Sequence, residues 1–265
     1  MRKLLWGHKQ DDEPPNMIDM TTNLFKGIML LCVLFYVVYS LMQRFNHPSV
    51  EEQSEKISQN LAILLETSRC AKCDLSRVEL IGVQLDGAQL ENARLVHADL
   101  SQISLQYADL ELADLERANL QGADLLRANM KKALIKSAQL DGANLERVEM
   151  LRVDLRGASL TKANLRSAEM LKAHLQDADF QGADLTEADM ERATLYGAKL
   201  NGVKAQHVIL KHAVLIGADL TDGDFRWANF YGARLEGAVL SGANFEGTQW
   251  INGRICKKGS IGQCK

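Results

Sequence analysis

The sequence contains few aromatic residues, few prolines and little net charge. Aromatic side chains make up 6% of the 265 residues, against 46% for all hydrophobic residues, so any core must consist mainly of aliphatic side chains. The net charge of −3 gives no basic excess of the kind that nucleic-acid-binding proteins carry. The histidines lack metal-ligand or triad spacing, and no glycine-rich phosphate loop is present. We therefore expect no catalytic site, no cofactor, no metal site and no nucleic-acid partner.

What the sequence does contain is a strict five-residue repeat. Every fifth residue from Leu75 to Trp250 is apolar, through 36 consecutive positions, and alanine stands two residues before it in 26 of them. A helix repeats every 3.6 residues and a strand every 2, so neither keeps this pattern on one face. The chain must turn once every five residues, with large and small side chains alternating in its interior. All three prolines lie before Leu75, where they interrupt none of these repeats.

The repeat units resemble those of a known family. Ala113–Arg117, Ala118–Gly122 and Ala183–Glu187 are similar to the A-(D/N)-L-x-x unit of the pentapeptide-repeat family. This resemblance implies an all-β fold, a right-handed quadrilateral β-helix with four pentapeptides per coil, over residues 70–250. The repeats then give about nine coils and a rod roughly 43 Å long at ~4.8 Å per coil. Glycines such as Gly82 recur mostly at multiples of twenty, as one corner with positive φ would require.

An apolar run from Leu24 to Met42 precedes the repeats, broken only by Lys26. A run of this length can span a bilayer, although Val38–Ser40 also weakly resembles the cleavage site of a signal peptide. We expect an uncleaved, single-pass transmembrane anchor in a bacterial inner membrane. Arg2, Lys3, Lys9 and Lys26 lie on the N-terminal side of the run, whereas the first twenty residues beyond it contain only Arg44 and Lys56. This bias places residues 1–23 in the cytoplasm and the repeats in the periplasm.

The cysteines suit an oxidising compartment. Cys70 with Cys73, and Cys256 with Cys264, form two local pairs at opposite ends of the repeats, too far apart for one zinc site. We expect each pair to close a disulfide at its own end. The CxxC spacing of the first pair also allows a redox role, although no βαβ pattern surrounds it.

Both ends of the β-helix need a cap, because open edges invite aggregation. Residues 43–69 contain a linker and a helix predicted over Ser49–Ser68, with Ser49 and Glu52 as a capping box. Its predicted inner face consists of Ile57, Leu61, Leu64 and Leu65. At the other end, residues 251–265 are similar to the tails of exported members of the family, which implies a disulfide-closed cap.

Residues twenty apart should stack on one corner or side of the β-helix. One such column is basic, and acidic residues lie on the same face, so it is either a self-neutralised solvated surface or a stripe for an acidic partner or anionic headgroups. The basic column consists of Lys132, Arg152, Lys172, Arg192 and His212. The acidic residues are Asp109, Glu149, Glu169 and Asp189.

Some outward positions hold apolar residues instead of polar ones. Leu151 and Leu171 should stack directly, and Tyr196, Val214 and Ile216 should cluster on another side. Stacked apolar residues on a surface can form contact patches for a partner. We take both groups, together with the basic column, as candidate partner-binding residues.

These observations favour a non-enzymatic, membrane-anchored scaffold or protein-interaction module that faces the periplasm. Its partners would be the membrane, through one N-terminal helix, and a protein that the sequence does not identify. One alternative is a DNA mimic that protects a topoisomerase, as the resemblance to quinolone-resistance members implies. The anchor, the cysteine pairs and the basic column argue against it. A third reading is a redox or envelope-stress role through Cys70 and Cys73.

Overall fold

A computed structural model describes residues 50–265 of the chain. They contain one α-helix, α1 (Val50–Thr67), and from Arg69 onward a turn and a bridging residue that recur every five residues. Residues 54–265 form one compact unit. The predicted cytoplasmic tail (1–23) and membrane anchor (24–42) lie outside the described residues. No helix within residues 50–265 has the length and hydrophobicity needed to span a bilayer.

The repeats form a β-solenoid with a coil of twenty residues. Parallel bridges join each bridging residue to the one twenty positions later, from Arg69 with Gln89 to Asn229 with Gln249. Each side of a coil contributes a single bridging residue between turns rather than a longer strand. The amide nitrogen of Leu165, for example, donates to the carbonyl oxygen of Asp184 at 2.7 Å. Each internal coil is thus hydrogen-bonded to the coil before it and the coil after it.

The interior is filled by the two apolar ladders. Leu165 is 0% exposed and Ala163 is 1% exposed, and nearly all equivalent positions along the repeats are buried to the same extent. Large and small residues alternate along each side, because a narrow tube has room for only one large side chain per side. This confirms the inward register that the five-residue spacing predicts.

Aromatic rings replace leucine at the C-terminal end of the core. The rings of Phe225, Phe230, Phe245 and Trp250 contact one another with centroids 5.0–5.9 Å apart. Phe225 fits because two positions next to it hold small residues. Ala205 takes the leucine position one coil earlier, and Gly223 stands where most units have alanine.

The corners correct one expectation from the sequence. The second turn residue has positive φ at all four corners, and 23 of these residues are not glycine, including Lys132 at 57° and Arg152 at 56°. The glycines spaced by twenty, such as Gly82, therefore do not mark one special corner. Polar and charged residues adopt the left-handed conformation here because the hydrogen bonds between coils fix every corner in the same geometry.

Helix α1 covers the first coil, and Ser49, the residue predicted to cap it, lies outside the described residues. Leu64 is fully buried and Ile57 and Leu61 pack partly against the core, as predicted. The prediction for Leu65 was wrong: its side chain is 52% exposed, because the helix turns it away from the coil that Leu64 contacts. The side-chain amide of Asn60 donates to the Asp74 carbonyl at 3.0 Å and fastens the helix to the repeats.

The C-terminal tail folds back onto the last coil. Antiparallel bridges pair Ile261 with Asn244 and Ile255 with Gln249. The amides of Phe245 and Gly247 donate to carbonyl oxygens of the tail at 2.8 and 2.9 Å. The tail therefore occupies hydrogen-bonding groups that a further coil would otherwise use, which protects the edge.

The structure brings both predicted cysteine pairs together, one at each end. The Sγ atoms of Cys70 and Cys73 are 2.06 Å apart, and those of Cys256 and Cys264 are 2.08 Å apart. Cys70 is 3% exposed and Cys256 is 2% exposed. Each pair lies where the repeat meets its cap.

Candidate interaction surfaces

Function must reside on the outside of this rod, because leucine and alanine fill its interior. The outer surface consists of bridging residues on the sides and turn residues at the corners, each stacked at intervals of twenty. Side chains twenty apart are therefore neighbours, and the candidate residues can be placed column by column. Within residues 50–265 no cluster of histidine, cysteine, aspartate and glutamate could hold a metal ion.

The predicted basic column occupies one corner. Its members stack through hydrogen bonds between successive coils, such as that from the Lys132 amide to the Leu151 carbonyl at 2.9 Å. Four members are exposed, and Lys172 is partly buried. The column consists of Lys132, Arg152, Lys172, Arg192 and His212.

Ion pairs neutralise only part of the basic column. The acidic partners are not the residues that the sequence predicted. Lys132 pairs with Glu111 at 3.4 Å, and Arg192 with Glu191 at 3.6 Å. Both acids stand at the corner itself. The predicted counter-charge Glu149 instead pairs with Lys131, which stands next to the column.

Arg152 and Lys172 form no ion pair with any residue in the described part of the chain. Beside them, Leu151 and Leu171 stack on successive coils, and both are partly buried. Two unpaired cations therefore adjoin a pair of stacked leucines in the middle of the rod.

The second predicted cluster also forms. Tyr196 and Ile216 lie on successive coils, since the amide next to Tyr196 donates to the Ile216 carbonyl at 3.0 Å. Val214 lies on the side that leads into this corner, where it forms bridges with Thr194 and Arg234 on the neighbouring coils. Tyr196 is 55% exposed, whereas Val214 and Ile216 are partly buried. Leu195 and Leu215 point inward and are fully buried, so the outer residues do not fill the core.

Charged hydrogen bonds also hold the side that contains Val214, three coils before that residue. Asp154 on the same side is 8% exposed and accepts two hydrogen bonds from the Arg156 guanidinium, at 2.8 and 2.7 Å. Burial alone would raise the pKa of Asp154, but hydrogen bonds from Arg156 and the charges of Arg156 and Lys136 outweigh it and hold the pKa below its usual range. The Asp154 carboxylate therefore has its hydrogen-bonding and charge partners within the protein, which indicates a structural role.

One cluster was not foreseen from the sequence. His207 stacks on Trp227 with ring centroids 5.2 Å apart, and the Arg226 guanidinium lies 5.1 Å from the Trp227 ring centre. Gly247 follows in the same column. A Cβ there would come within 2.4 Å of the indole, so glycine lets the ring lie along the corner. The spacing of twenty between His207 and Trp227 is the signal that could have revealed this cluster.

Asp224 fixes the arginine of that cluster. It accepts hydrogen bonds from Arg226 at 2.8 and 2.6 Å, and this contact is the main cause that lowers the pKa of Asp224. The indole of Trp227 remains 49% exposed. The corner therefore presents a supported aromatic ring to solvent.

The tail carries a further surface that sequence reasoning missed. It exposes three isoleucines, Ile251 at 38%, Ile255 at 62% and Ile261 at 49%. Four cations on the tail are exposed as well. They are Arg254, Lys257, Lys258 and Lys265. The signal was present in the sequence, since no acidic residue follows Glu246.

Several solved structures resemble this chain. HetL, a pentapeptide repeat protein involved in heterocyst differentiation regulation from the cyanobacterium Nostoc, is 28% identical over 79% of this chain and 100% of its own, with a TM-score of 0.38. QnrB1, a plasmid-mediated fluoroquinolone resistance protein, is 18% identical over 68% of this chain and 94% of its own, with a TM-score of 0.47. No curated protein matches significantly.

A family comparison identifies the repeats directly. The sequence profile described as Pentapeptide repeats matches eight copies, which together cover more than half of the chain. The matched residues are 66–96, 93–131, 138–170, 173–211 and 209–247. Together with the twenty-residue coil and its two apolar ladders, these matches show that the chain belongs to the pentapeptide-repeat family.

Proposed function

We propose that this protein is a non-enzymatic interaction module, held at a bacterial inner membrane by residues 24–42, whose solenoid faces the periplasm. The observation that carries this proposal is the filled interior, which leaves only the outer columns for recognition. A rod whose coils are joined by regular hydrogen bonds presents these columns as a rigid, extended surface. Binding would then cost little ordering of the backbone.

The sequence and the cysteine geometry support the proposed location. The apolar run from Leu24 to Met42 is long enough to span a bilayer, and the basic residues before it favour a cytoplasmic N-terminus. The two cysteine pairs lie at bonding distance at the two ends of the rod. Disulfides there would persist in the periplasm, where thiols are oxidised.

We infer that the Cys70–Cys73 pair is a structural link rather than a redox centre. Thiol exchange requires a sulfur atom that another thiolate can reach. Cys70 is 3% exposed, and its Sγ lies 3.3 Å from the carbonyl oxygen of Asn60 in helix α1. The helix would have to move before this sulfur could be attacked.

A topology experiment tests the proposed location. A reporter enzyme that needs its own disulfide bonds, fused after Lys265, should be active in cells. Thiol alkylation of the extracted protein without reductant should leave the four cysteines of the two pairs unmodified, and reduction should make them reactive. The proposed location and the two disulfide links would both be contradicted by two results together. The first is an inactive disulfide-dependent reporter with an active reporter that works only in the cytoplasm, and the second is alkylation of all four cysteines without reductant.

That contrary result would favour the topoisomerase-protecting alternative. The observation in its favour is the acidity of residues 50–246, which contain 22 lysines and arginines against 30 aspartates and glutamates. A DNA mimic presents such an excess of negative charge in the cytoplasm. Inhibition of purified topoisomerase relaxation by the solenoid would then be the direct measurement.

The Tyr196 surface supplies a second prediction. Replacing Tyr196 and Ile216 with serine should weaken capture of periplasmic partners, while the melting temperature stays almost unchanged. Each apolar side chain buried at a contact contributes about 1.5–3 kcal/mol, so the loss of two should reduce affinity by at least a hundredfold. The measurement is quantitative mass spectrometry of cross-linked partners.

A second double variant tests whether any loss of capture is specific to the Tyr196 surface. Replacing Tyr107 and Leu134 with serine removes one tyrosine and one aliphatic residue that are also exposed, at 57% and 42%. This variant should capture the same partners as the wild type. If both variants lose them equally, the Tyr196 surface has no special role.

A further inference from the structure

The tail differs in charge from the rest of the solenoid. Residues 247–265 contain four basic residues and no acidic one, whereas residues 50–246 carry a net charge of −8. Positive charge is thus concentrated at the end formed by the tail. Because charges separated by more than about 10 Å are screened at moderate salt, this end acts on a partner separately from the acidic rod.

The cations of the tail are held on a fixed backbone. The Lys257 amide donates to the Lys265 carbonyl at 3.1 Å, and the Lys265 amide donates to the Ser260 hydroxyl at 3.0 Å. The Arg254 guanidinium donates to the Cys264 carbonyl at 2.9 Å. These bonds hold the backbone at Lys257 beside that at Lys265.

None of these cations is neutralised within the described residues. Arg254, Lys257, Lys258 and Lys265 form no ion pair with any acidic side chain of residues 50–265. Other basic residues of the rod often do, as Lys199 does with Asp179 at 3.0 Å. The tail therefore presents its full positive charge to solvent.

Exposed isoleucines lie among these charges. Ile255 is 62% exposed at the end of the side that finishes with Gln249, and Ile261 is 49% exposed beside Asn244. Both residues are held by antiparallel bridges to the last coil, so their backbone positions are as fixed as those of the repeats. Aliphatic side chains surrounded by lysine and arginine are the combination that binds at a lipid headgroup boundary.

We propose that the C-terminal tail binds anionic lipid surfaces. Lysines attract anionic headgroups and the isoleucines enter the boundary between headgroups and acyl chains. A lipid surface suits the tail better than an acidic protein, because residues 251–265 are fewer than the about 20–30 residues that each partner contributes to a standard protein interface. A membrane, by contrast, is bound by small patches of basic and apolar residues.

Vesicle co-sedimentation tests the proposal. Full-length protein held in nanodiscs of neutral phosphatidylcholine is mixed with vesicles of phosphatidylcholine alone or of phosphatidylcholine with phosphatidylglycerol. The wild type should sediment with the second kind only, and less as salt is raised. Each lysine near an anionic surface contributes about fivefold to binding, so Lys257→Glu with Lys258→Glu should lower the partition coefficient by about 25-fold or more.

Two further variants separate the contributions. Ile255→Ser with Ile261→Ser should reduce binding at every salt concentration, because the apolar contribution is not screened. Arg127→Glu with Lys162→Glu makes the same change in charge on exposed rod corners and should leave binding unchanged. Melting curves show that each variant is folded before its binding is compared.

Three results would overturn the proposal. The first is equal sedimentation of the wild type with both kinds of vesicle. The second is unchanged binding of the Lys257→Glu, Lys258→Glu variant. The third is binding of the wild type to soluble polyglutamate but not to anionic vesicles, which would assign the tail to an acidic protein. The vesicles are a separate population from the nanodiscs, so insertion of residues 24–42 into a nanodisc does not itself cause sedimentation.

Discussion

Leu165→Asp should prevent the middle coils of the solenoid from folding. Leu165 is 0% exposed, and its side chain lies among other leucines and alanines of the interior. A carboxylate there has no cation and no water within reach, and an unpaired buried charge costs several kcal/mol. Circular dichroism should show loss of a cooperative transition, and limited proteolysis should cut within the neighbouring coils first.

The matched control is a charge reversal on the outside of the same region. Lys162→Asp changes an exposed corner residue that forms no ion pair with any residue in 50–265, so its effect should stay within about 0.5 kcal/mol. Arg166 would be a poorer control, because it pairs with Asp184 at 3.6 Å. Similar effects of Leu165→Asp and Lys162→Asp would contradict the inward register.

Gly223→Ala should destabilise the C-terminal coils by about 1–3 kcal/mol through overpacking. A Cβ at this position would come within 2.5 Å of the Phe225 ring. The ring is fully buried and in contact with Phe230 and Phe245, so it has little room to move. The expected observation is a lower midpoint in urea unfolding, followed by tryptophan fluorescence, since Trp227 and Trp250 both lie in these coils.

A double-mutant cycle identifies the cause. In the Phe225→Leu background the same Gly223→Ala change should cost less than about 0.5 kcal/mol, because alanine followed two residues later by leucine is the ordinary unit of this chain. Equal costs in the two backgrounds would show that Gly223 is required by its backbone and not by the Phe225 ring.

The fold followed from the sequence because its repeat is regular. Thirty-six apolar positions in one register allow only a chain that turns every five residues, and the resemblance supplied the number of turns per coil. The buried state of Leu165 and Ala163 was predicted correctly. These features depend on periodicity, which a single sequence displays in full.

The predictions for Leu65 and for the corners were wrong because local backbone geometry outweighs the sequence pattern at these positions. Leu65 lies one residue after Leu64, and a difference of 100° around the helix carries it from the coil to solvent. The left-handed corners were assigned to glycine because isolated residues avoid positive φ, but the ladder between coils holds 23 other residues in that conformation. The exposure of Leu65 can be predicted only once the orientation of helix α1 on the first coil is known. The positive φ at the corners can be predicted only once the hydrogen bonds between coils are known.

The candidate surfaces were predicted in part. Stacking by twenty placed Tyr196 beside Ile216, but it did not show which cations find a partner. Lys132 reaches Glu111 across a coil, whereas Arg152 forms no ion pair within the described residues, and side-chain length and direction decide between these outcomes. The partner of each surface depends on another molecule and cannot be read from one chain.

The twenty-residue coil makes the length of the rod adjustable in fixed steps. Because each coil is hydrogen-bonded only to the coils on either side, an insertion of twenty residues extends the rod by one coil, or ~4.8 Å, without disturbing the faces of the others. An insertion of five residues would instead rotate every later column by one side. Evolution can therefore change the distance between helix α1 and the tail in steps of one coil, by gain or loss of twenty residues.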